Sequence, residues 1–316
     1  MKKTKLLLFA LPLLTIPLVT GCQEKRITIG ISQLVQHEAL DAATKGFKEA
    51  VIEGLGKENV KFDLQIASND PNMCATIANS FVSQGVDLIM ANATPALQAC
   101  ANSTLTIPIL GTSVTEYGVA LSIKDFNGTV GGNVSGTSDL APLDGQANMV
   151  TELFPEAKKV GLLFCSAEAN SLYQIDVVEG LLKAKGLSTE RISFADSNEL
   201  QSVLSGKISG LDVLYIPTDN ACADNVTAID AICRPAKLPV ICGEENLCKG
   251  CGVATLSIDY FNLGKKTGQM AVEILKDGKD ISKMPIAYDE NPVKKFNKTI
   301  CEELGIPAPE GYVEIA

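Results

Sequence analysis

Arg26-Ile27-Thr28-Ile29-Gly30-Ile31-Ser32 and Lys159-Val160-Gly161-Leu162-Leu163-Phe164 are two short, nearly uninterrupted apolar runs placed far apart in the chain. Each is followed by a polar loop and then by apolar residues at helical spacing. These are Leu40, Ala43, Phe47, Ala50, Val51 and Leu55 after the first run, and Leu172, Ile175, Val178, Leu181 and Leu182 after the second. A short apolar run bounded by turn residues describes a strand buried on both faces, as in a parallel sheet. The following helices also echo one another, residues 48–54 (KEAVIEG) against residues 177–182 (VVEGLL). The pattern therefore starts, runs and restarts.

Working outward, the first half continues with strand-like residues 60–66, 86–91 and 107–111, separated by helical patterns over 74–82 and 95–101. The second half continues with strands at 191–194, 213–217 and 239–243, and helices near 200–205 and 223–233. A last unit has a strand over 253–258 and a helix carrying Leu263, Met270, Ala271, Ile274 and Leu275; residues 285–287 and a helix near 294–304 finish the chain. The economical reading is α/β: two Rossmann-like lobes, each a parallel sheet covered by helices on both faces. One long doubly wound sheet is the alternative. The expected division is a leader over 1–21, an N-terminal lobe of 22–120 plus 253–280, a C-terminal lobe of 134–252 plus 281–316, and a Gly/Thr/Ser/Asn-rich connection over 121–133.

The chain's 316 residues, 46% hydrophobic and 20% charged, suffice for two cores. Lys and Arg number 27 against 37 Asp and Glu, a net charge of −10 with no basic cluster, which argues against nucleic acid as a partner. A single histidine, His37, rules out a multi-histidine metal site, and it reads as a loop hydrogen-bonding residue rather than a general base. No nucleophile elbow, P-loop or H-E-x-x-H is present, and Gly30 opens no dinucleotide fingerprint. The chain is expected to be a monomer, not an enzyme, and to need no cofactor or metal.

Lys2, Lys3 and Lys5 precede an apolar run over 6–19 that is short for a spanning helix. It ends in Val19-Thr20-Gly21-Cys22, which resembles a bacterial lipobox. Cys22 is thus expected to be lipidated and to tether the body outside the cytoplasmic membrane. The other nine cysteines are odd in number, so at least one lacks an intrachain partner. Cys222, Cys233, Cys242, Cys248 and Cys251 fall in one window with a single C-x-x-C; free thiols, a disulfide and a metal knuckle remain alternatives.

In parallel α/β sheets ligands gather beyond the carboxyl ends of the strands. Polar residues sit there in this chain: Ser32, Gln33 and Gln36; Thr94; Ser138 and Asp139; Asn170 and Ser171; Asp219 and Asn220; and Glu244. Helix N-termini and hydroxyls, with Thr94, Ser138 and Ser171 foremost, suit a carboxylate. Asp219, then Glu244 and Asp139, suit an ammonium. Together they describe a site for a zwitterion.

Five segments, in order from Ile29 to Met270, carry a more specific likeness. They are residues 32–41 (SQLVQHEALD), 93–99 (ATPALQA), 133–139 (NVSGTSD), 168–171 (EANS) and 259–264 (DYFNLG). Together they resemble the tryptophan/tyrosine-type ABC transporter substrate-binding proteins. That resemblance implies a type I periplasmic-binding-protein fold, with lobes joined by crossing hinge segments and closing on an aromatic amino acid that is delivered to a permease and its ATPase. It departs from the family pattern at Gln36 and Glu38, where Glu and Pro are usual, and at Thr115-Glu116-Tyr117, where the family has T-D-P. Thr115 and Tyr117 are accordingly added to the expected ligand-binding residues, with Tyr117 and Tyr173 as aromatic rings near the cleft. Another small planar ligand, such as a nucleobase or modified amino acid, and a sensing role are the alternatives.

Overall fold

The computed structural model describes residues 26–289 and 291–315. From the N-terminus the elements are β1 (Ile27–Gln33), α1 (Glu38–Leu55), β2 (Val60–Ile66), α2 (Pro71–Gln84), β3 (Leu88–Asn92), α3 (Thr94–Ser103), β4 (Ile109–Val114), α4 (Tyr117–Ala120) and β5 (Val134–Ser138). After α5 (Leu143–Leu153) the second series runs β6 (Lys159–Cys165), α6 (Ala169–Ala184), β7 (Ser188–Phe194), α7 (Ser197–Lys207), β8 (Val213–Ile216), α8 (Asn220–Asp224), α9 (Val226–Cys233), β9 (Val240–Cys242), α10 (Glu245–Cys251) and β10 (Ala254–Ser257). Then come α11 (Tyr260–Leu275), β11 (Ala287–Tyr288), β12 (Val293–Phe296), α12 (Lys298–Leu304) and β13 (Val313–Glu314).

These strands form two sheets, ordered β11-β5-β4-β3-β1-β2 and β13-β12-β10-β9-β8-β6-β7. The order β2-β1-β3-β4-β5 is repeated by β7-β6-β8-β9-β10, so the restart seen in the sequence is a structural repeat and the single-sheet alternative is excluded. Pairing is parallel apart from β10 with β12, which is antiparallel. Each sheet is buried between helical layers. Ile29, Ile31, Leu88, Met90 and Leu110 face Phe47 and Met270 on one side of the first sheet; Ile89 and Ile109 face Phe81 and Leu97 on the other.

The sheets divide the chain differently from the expected lobes. Val134–Ser138 pairs with β4 in the first sheet, and Ala287–Tyr288 joins it there. Ala254–Ser257 pairs with β9 in the second sheet. Each lobe completes its fifth parallel strand before the chain leaves it, so the crossings fall after β5, between β10 and α11, and between β11 and β12. The stretch 121–133 is a loop within the first lobe. Two local expectations also change. Residues 293–296 form a strand rather than the start of the last helix, and the helix expected over 223–233 is broken at Asn225.

The nine cysteines among the described residues are free thiols, all buried. Among those residues no group of three or more His, Cys, Asp or Glu is placed to hold a metal ion, and no helix is long and apolar enough to cross a membrane. Cys22 and the leader lie outside the described residues.

Candidate functional site

The carboxyl ends of the two sheets face one another. A cavity of about 350 Å³ between the lobes is lined by Leu34, Asn69 and Pro95 from the first and Cys165, Glu168 and Asp224 from the second. Backbone strain concentrates at this end of the first lobe: Ala93, directly before α3, has φ 88°, and Ser113 at the end of β4 has φ 54°. Non-glycine residues hold such conformations at a cost of about 1–3 kcal/mol each, and they cluster at functional sites.

The expected site residues sort by what their polar atoms touch. Ser138 Oγ donates to the Thr115 carbonyl and accepts from Leu140 N, so it shapes the first crossing. Gln33 is turned into the first lobe, donating to Asp41 and Val35 and accepting from Thr44. Ser32 lies against the Cys100 thiol in the α3 layer. Gln36 is exposed. Tyr117 is buried in the first-lobe core, its hydroxyl donating to the Thr137 carbonyl. That ring fits because Gly111 and Gly136 lie beneath it: a Cβ on either would come within 2.4 Å of the Tyr117 hydroxyl, and Gly136 has φ 147°. Tyr173 is half-buried beside Glu116.

The carboxylates differ most from expectation. Asp219 caps α8: Oδ1 accepts from Cys222 N at 2.8 Å and Oδ2 from Cys165 N at 2.7 Å, with the Ser171 hydroxyl beside it. It ties β6 to β8 and has little left for a ligand. Glu244 caps α10 by accepting from Asn246 N and Leu247 N. Glu168, not among the residues expected from sequence, accepts from Asn170, Asn220 and Ala221 N. Burial pushes Glu244 up to about 7, and burial together with Asp219 does the same to Glu168.

Asp139 is the exception. It is buried where the chain leaves β5. Tyr260 Oη donates to its Oδ2 at 2.9 Å, while Oδ1 has no hydrogen-bond partner. Burial raises its pKa, partly offset by the Thr115 and Tyr260 hydroxyls. A buried carboxylate oxygen without a partner is costly unless a charge or donor meets it. Other buried atoms at these strand ends share this condition: Ser32 Oγ, Asn92 Oδ1 and Ser113 Oγ within the first-lobe strands, and, at helix starts, Thr94 Oγ1 of α3 and Asn170 Oδ1 of α6. A donor–acceptor hydroxyl at a helix start, an amide oxygen and a carboxylate are the groups that bind an α-carboxylate and an α-ammonium. Tyr260 and Glu168 were both legible as polar residues at helix starts, in the D-Y and E-x-N-S segments. Only their partners show which one leaves a neighbour free.

The comparisons with known proteins agree with this architecture. Residues 28–316 match the family model described as ABC transporter substrate binding protein. The chain is 37% identical over 273 residues to a tyrosine-binding protein of Clostridioides difficile, covering 85% of this chain and 79% of that one. A solved domain in complex with L-Trp from Streptococcus pneumoniae superposes with a TM-score of 0.88 at 30% identity, covering 92% of this chain and all of that one. A ligand-free, open substrate-binding protein with adhesive properties from Clostridium difficile gives a TM-score of 0.69 at 36% identity, covering 91% of this chain and 98% of that one. The higher identity of the two solved structures thus goes with the lower TM-score. The fold, the family model and these relatives agree: this chain belongs to the ABC transporter substrate-binding protein family.

Proposed function

We propose that this protein binds an aromatic L-amino acid between its lobes and delivers it to an ABC importer as a lipid-anchored, extracytoplasmic component. The observation that carries the ligand class is the set of buried, unpartnered polar atoms on Thr94, Asp139 and Asn170 at the facing strand ends. Asp139 receives the ammonium, and the α3 start with Thr94 receives the carboxylate, with Asn170 accepting a further donor from the second lobe. Asp219 and Glu244, expected from sequence to meet the ammonium, hold the scaffold of the second lobe. Support for an aromatic side chain comes from the relatives, one named for tyrosine and one solved with L-Trp.

A melting scan across the amino acids tests this reading. An aromatic amino acid present at about 100 times its Kd should add roughly 2.7 kcal/mol, or on the order of 5–10 °C in Tm. A scan in which no aromatic amino acid shifts the transition removes the ligand class.

The anchor rests on the Val19–Cys22 pattern. Cys22→Ala should release the protein from the membrane fraction into the medium, because two acyl chains hold stably and their loss leaves an acidic body with no other attachment. Retention equal to that of the parent removes the lipoprotein assignment.

A further inference from the structure

Helix α1, 18 residues long, begins at the lobe boundary without a cap of its own. Its N-cap residue, His37, gives the helix no side-chain hydrogen bond and instead places Nε2 3.3 Å from Asn220 Oδ1 in the second lobe. The same lack marks α3 and α6, whose starts carry the unpartnered atoms of Thr94 and Asn170. By contrast α2, α7, α8 and α10, at the same ends of the sheets, are capped by Asp70, Asp196, Asp219 and Glu244. An uncapped start leaves first-turn N–H groups without intrahelical acceptors. At α1 an acceptor comes from the other lobe. Asn246, on α10, accepts from Ala39 N at 3.0 Å through Oδ1 and donates to Glu38 Oε2 at 2.7 Å through Nδ2. The flanking groups fix that orientation, since an N–H faces the oxygen and a carboxylate faces the nitrogen. Ala39 is the second helical residue of α1, a position whose N–H an N-cap side chain ordinarily meets, and it is buried. Lys249, further along α10, stands 3.8 Å from the same Glu38 carboxylate, but both side chains are exposed and the pair adds little.

We propose that Asn246 caps α1 from across the lobe boundary, as a positioning residue that holds the lobes together over bound ligand and slows its release. This rests on the reading of the protein as one that closes on an amino acid. Both supports of the contact are firm. Helix α10 is tied to the second lobe by its own cap, Glu244, and by Leu247, Cys248 and Cys251 in the core. Helix α1 is tied to the first lobe by Leu40, Phe47 and Val51. A separation of about 1 Å between the two helices takes the contact beyond hydrogen-bonding range, so the cap is made when the lobes meet and lost when they part. Ligand and cap then favour the same arrangement, and each adds to the population the other selects. Asn246 does this without touching the ligand.

Asn246→Ala removes both hydrogen bonds and spares α10, because Glu244 caps that helix through backbone N–H groups and alanine has the higher helix propensity. The chain has no tryptophan, so indole emission reports added L-tryptophan alone. Stopped-flow measurements on the parent, Asn246→Ala, Glu38→Ala and the double variant give the rates. L-tryptophan should leave Asn246→Ala about two- to thirtyfold faster than the parent, the worth of an N-cap, while its association rate changes by less than about twofold. Glu38→Ala should speed release less in the Asn246→Ala background than in the parent, because the two side chains share one contact. The Tm of ligand-free Asn246→Ala should match or exceed that of the parent. Release as slow as from the parent overturns the cap. Faster release accompanied by a lower ligand-free Tm also overturns it, since Asn246 would then support the second lobe alone. If the parent binds neither L-tryptophan nor L-tyrosine, the ligand reading itself fails, and hydrogen exchange at the Ala39 amide decides the cap in the protein alone. Exchange slower in the parent than in Asn246→Ala supports the cap, and equal exchange overturns it.

Discussion

Asp139→Asn should weaken binding of an aromatic amino acid by about thirty- to several-thousand-fold, the cost of about 2–5 kcal/mol incurred when one partner of a desolvated charge pair is removed. The substitution is nearly isosteric and keeps an acceptor for Tyr260 Oη, so the lobe crossing should hold its shape. What it removes is the negative charge at Oδ1, the carboxylate oxygen without a protein partner. Asp219→Ala provides the contrast. Its two oxygens satisfy Cys165 N and Cys222 N, and an unsatisfied buried donor costs about 1–3 kcal/mol. That variant should lose mainly stability, and its affinity should fall only as far as the second lobe is disturbed. Isothermal titration beside thermal melting separates the two. If Asp139→Asn binds as tightly as the parent while Asp219→Ala remains folded and binds nothing, the ammonium site is at Asp219 and not at Asp139.

Gly264→Ala should be among the most damaging single methyls in the first lobe. Helices α1 and α11 pack backbone to backbone. A Cβ on Gly264 would lie 2.0 Å from the Ala43 carbonyl oxygen, and one on Gly46 would lie 2.1 Å from the Phe261 oxygen. Neither obstacle is a side chain that can swing away, so the helices themselves must separate. Overpacking of this kind costs about 3 kcal/mol or somewhat more, a fall in Tm on the order of 6–12 °C. Because α11 also carries Tyr260 to Asp139, ligand affinity should fall with it. Gly180→Ala is the control: it lies on α6 with nothing within 4 Å of its Cβ position, and alanine there should leave stability equal or improve it by about 0.5–1 kcal/mol. Melting curves that rank Gly264→Ala level with Gly180→Ala would show that the helices can part freely.

The repeat is legible in the amino-acid sequence because it depends on local periodicity. Residues 26–32 and 159–164 can only be doubly buried strands, and the helices after them show their apolar stripes in sequence. Positions at strand ends are legible too, since Thr94, Asp139, Asn170 and Asp219 each stand where an apolar run gives way to a polar helix start. The lobe to which a strand belongs is not, because sheet membership is a matter of pairing between distant segments. Val134–Ser138 and Ala254–Ser257 have the composition of a strand for either lobe, and only their neighbours β4 and β9 assign them. The same limit applies to the site. Asp139, Asp219 and Glu244 are alike as acidic residues after a strand, and sequence offers no way to see that backbone N–H groups satisfy two of them and leave an oxygen of the third free. His37 reads as a loop residue until Asn220, 183 positions away, is brought to 3.3 Å. Sequence by itself determined which segments become strands and helices, since that is set by side chains a few residues apart. Tertiary structure alone decided which polar atoms remain unsatisfied, since that depends on donors and acceptors contributed from the rest of the chain.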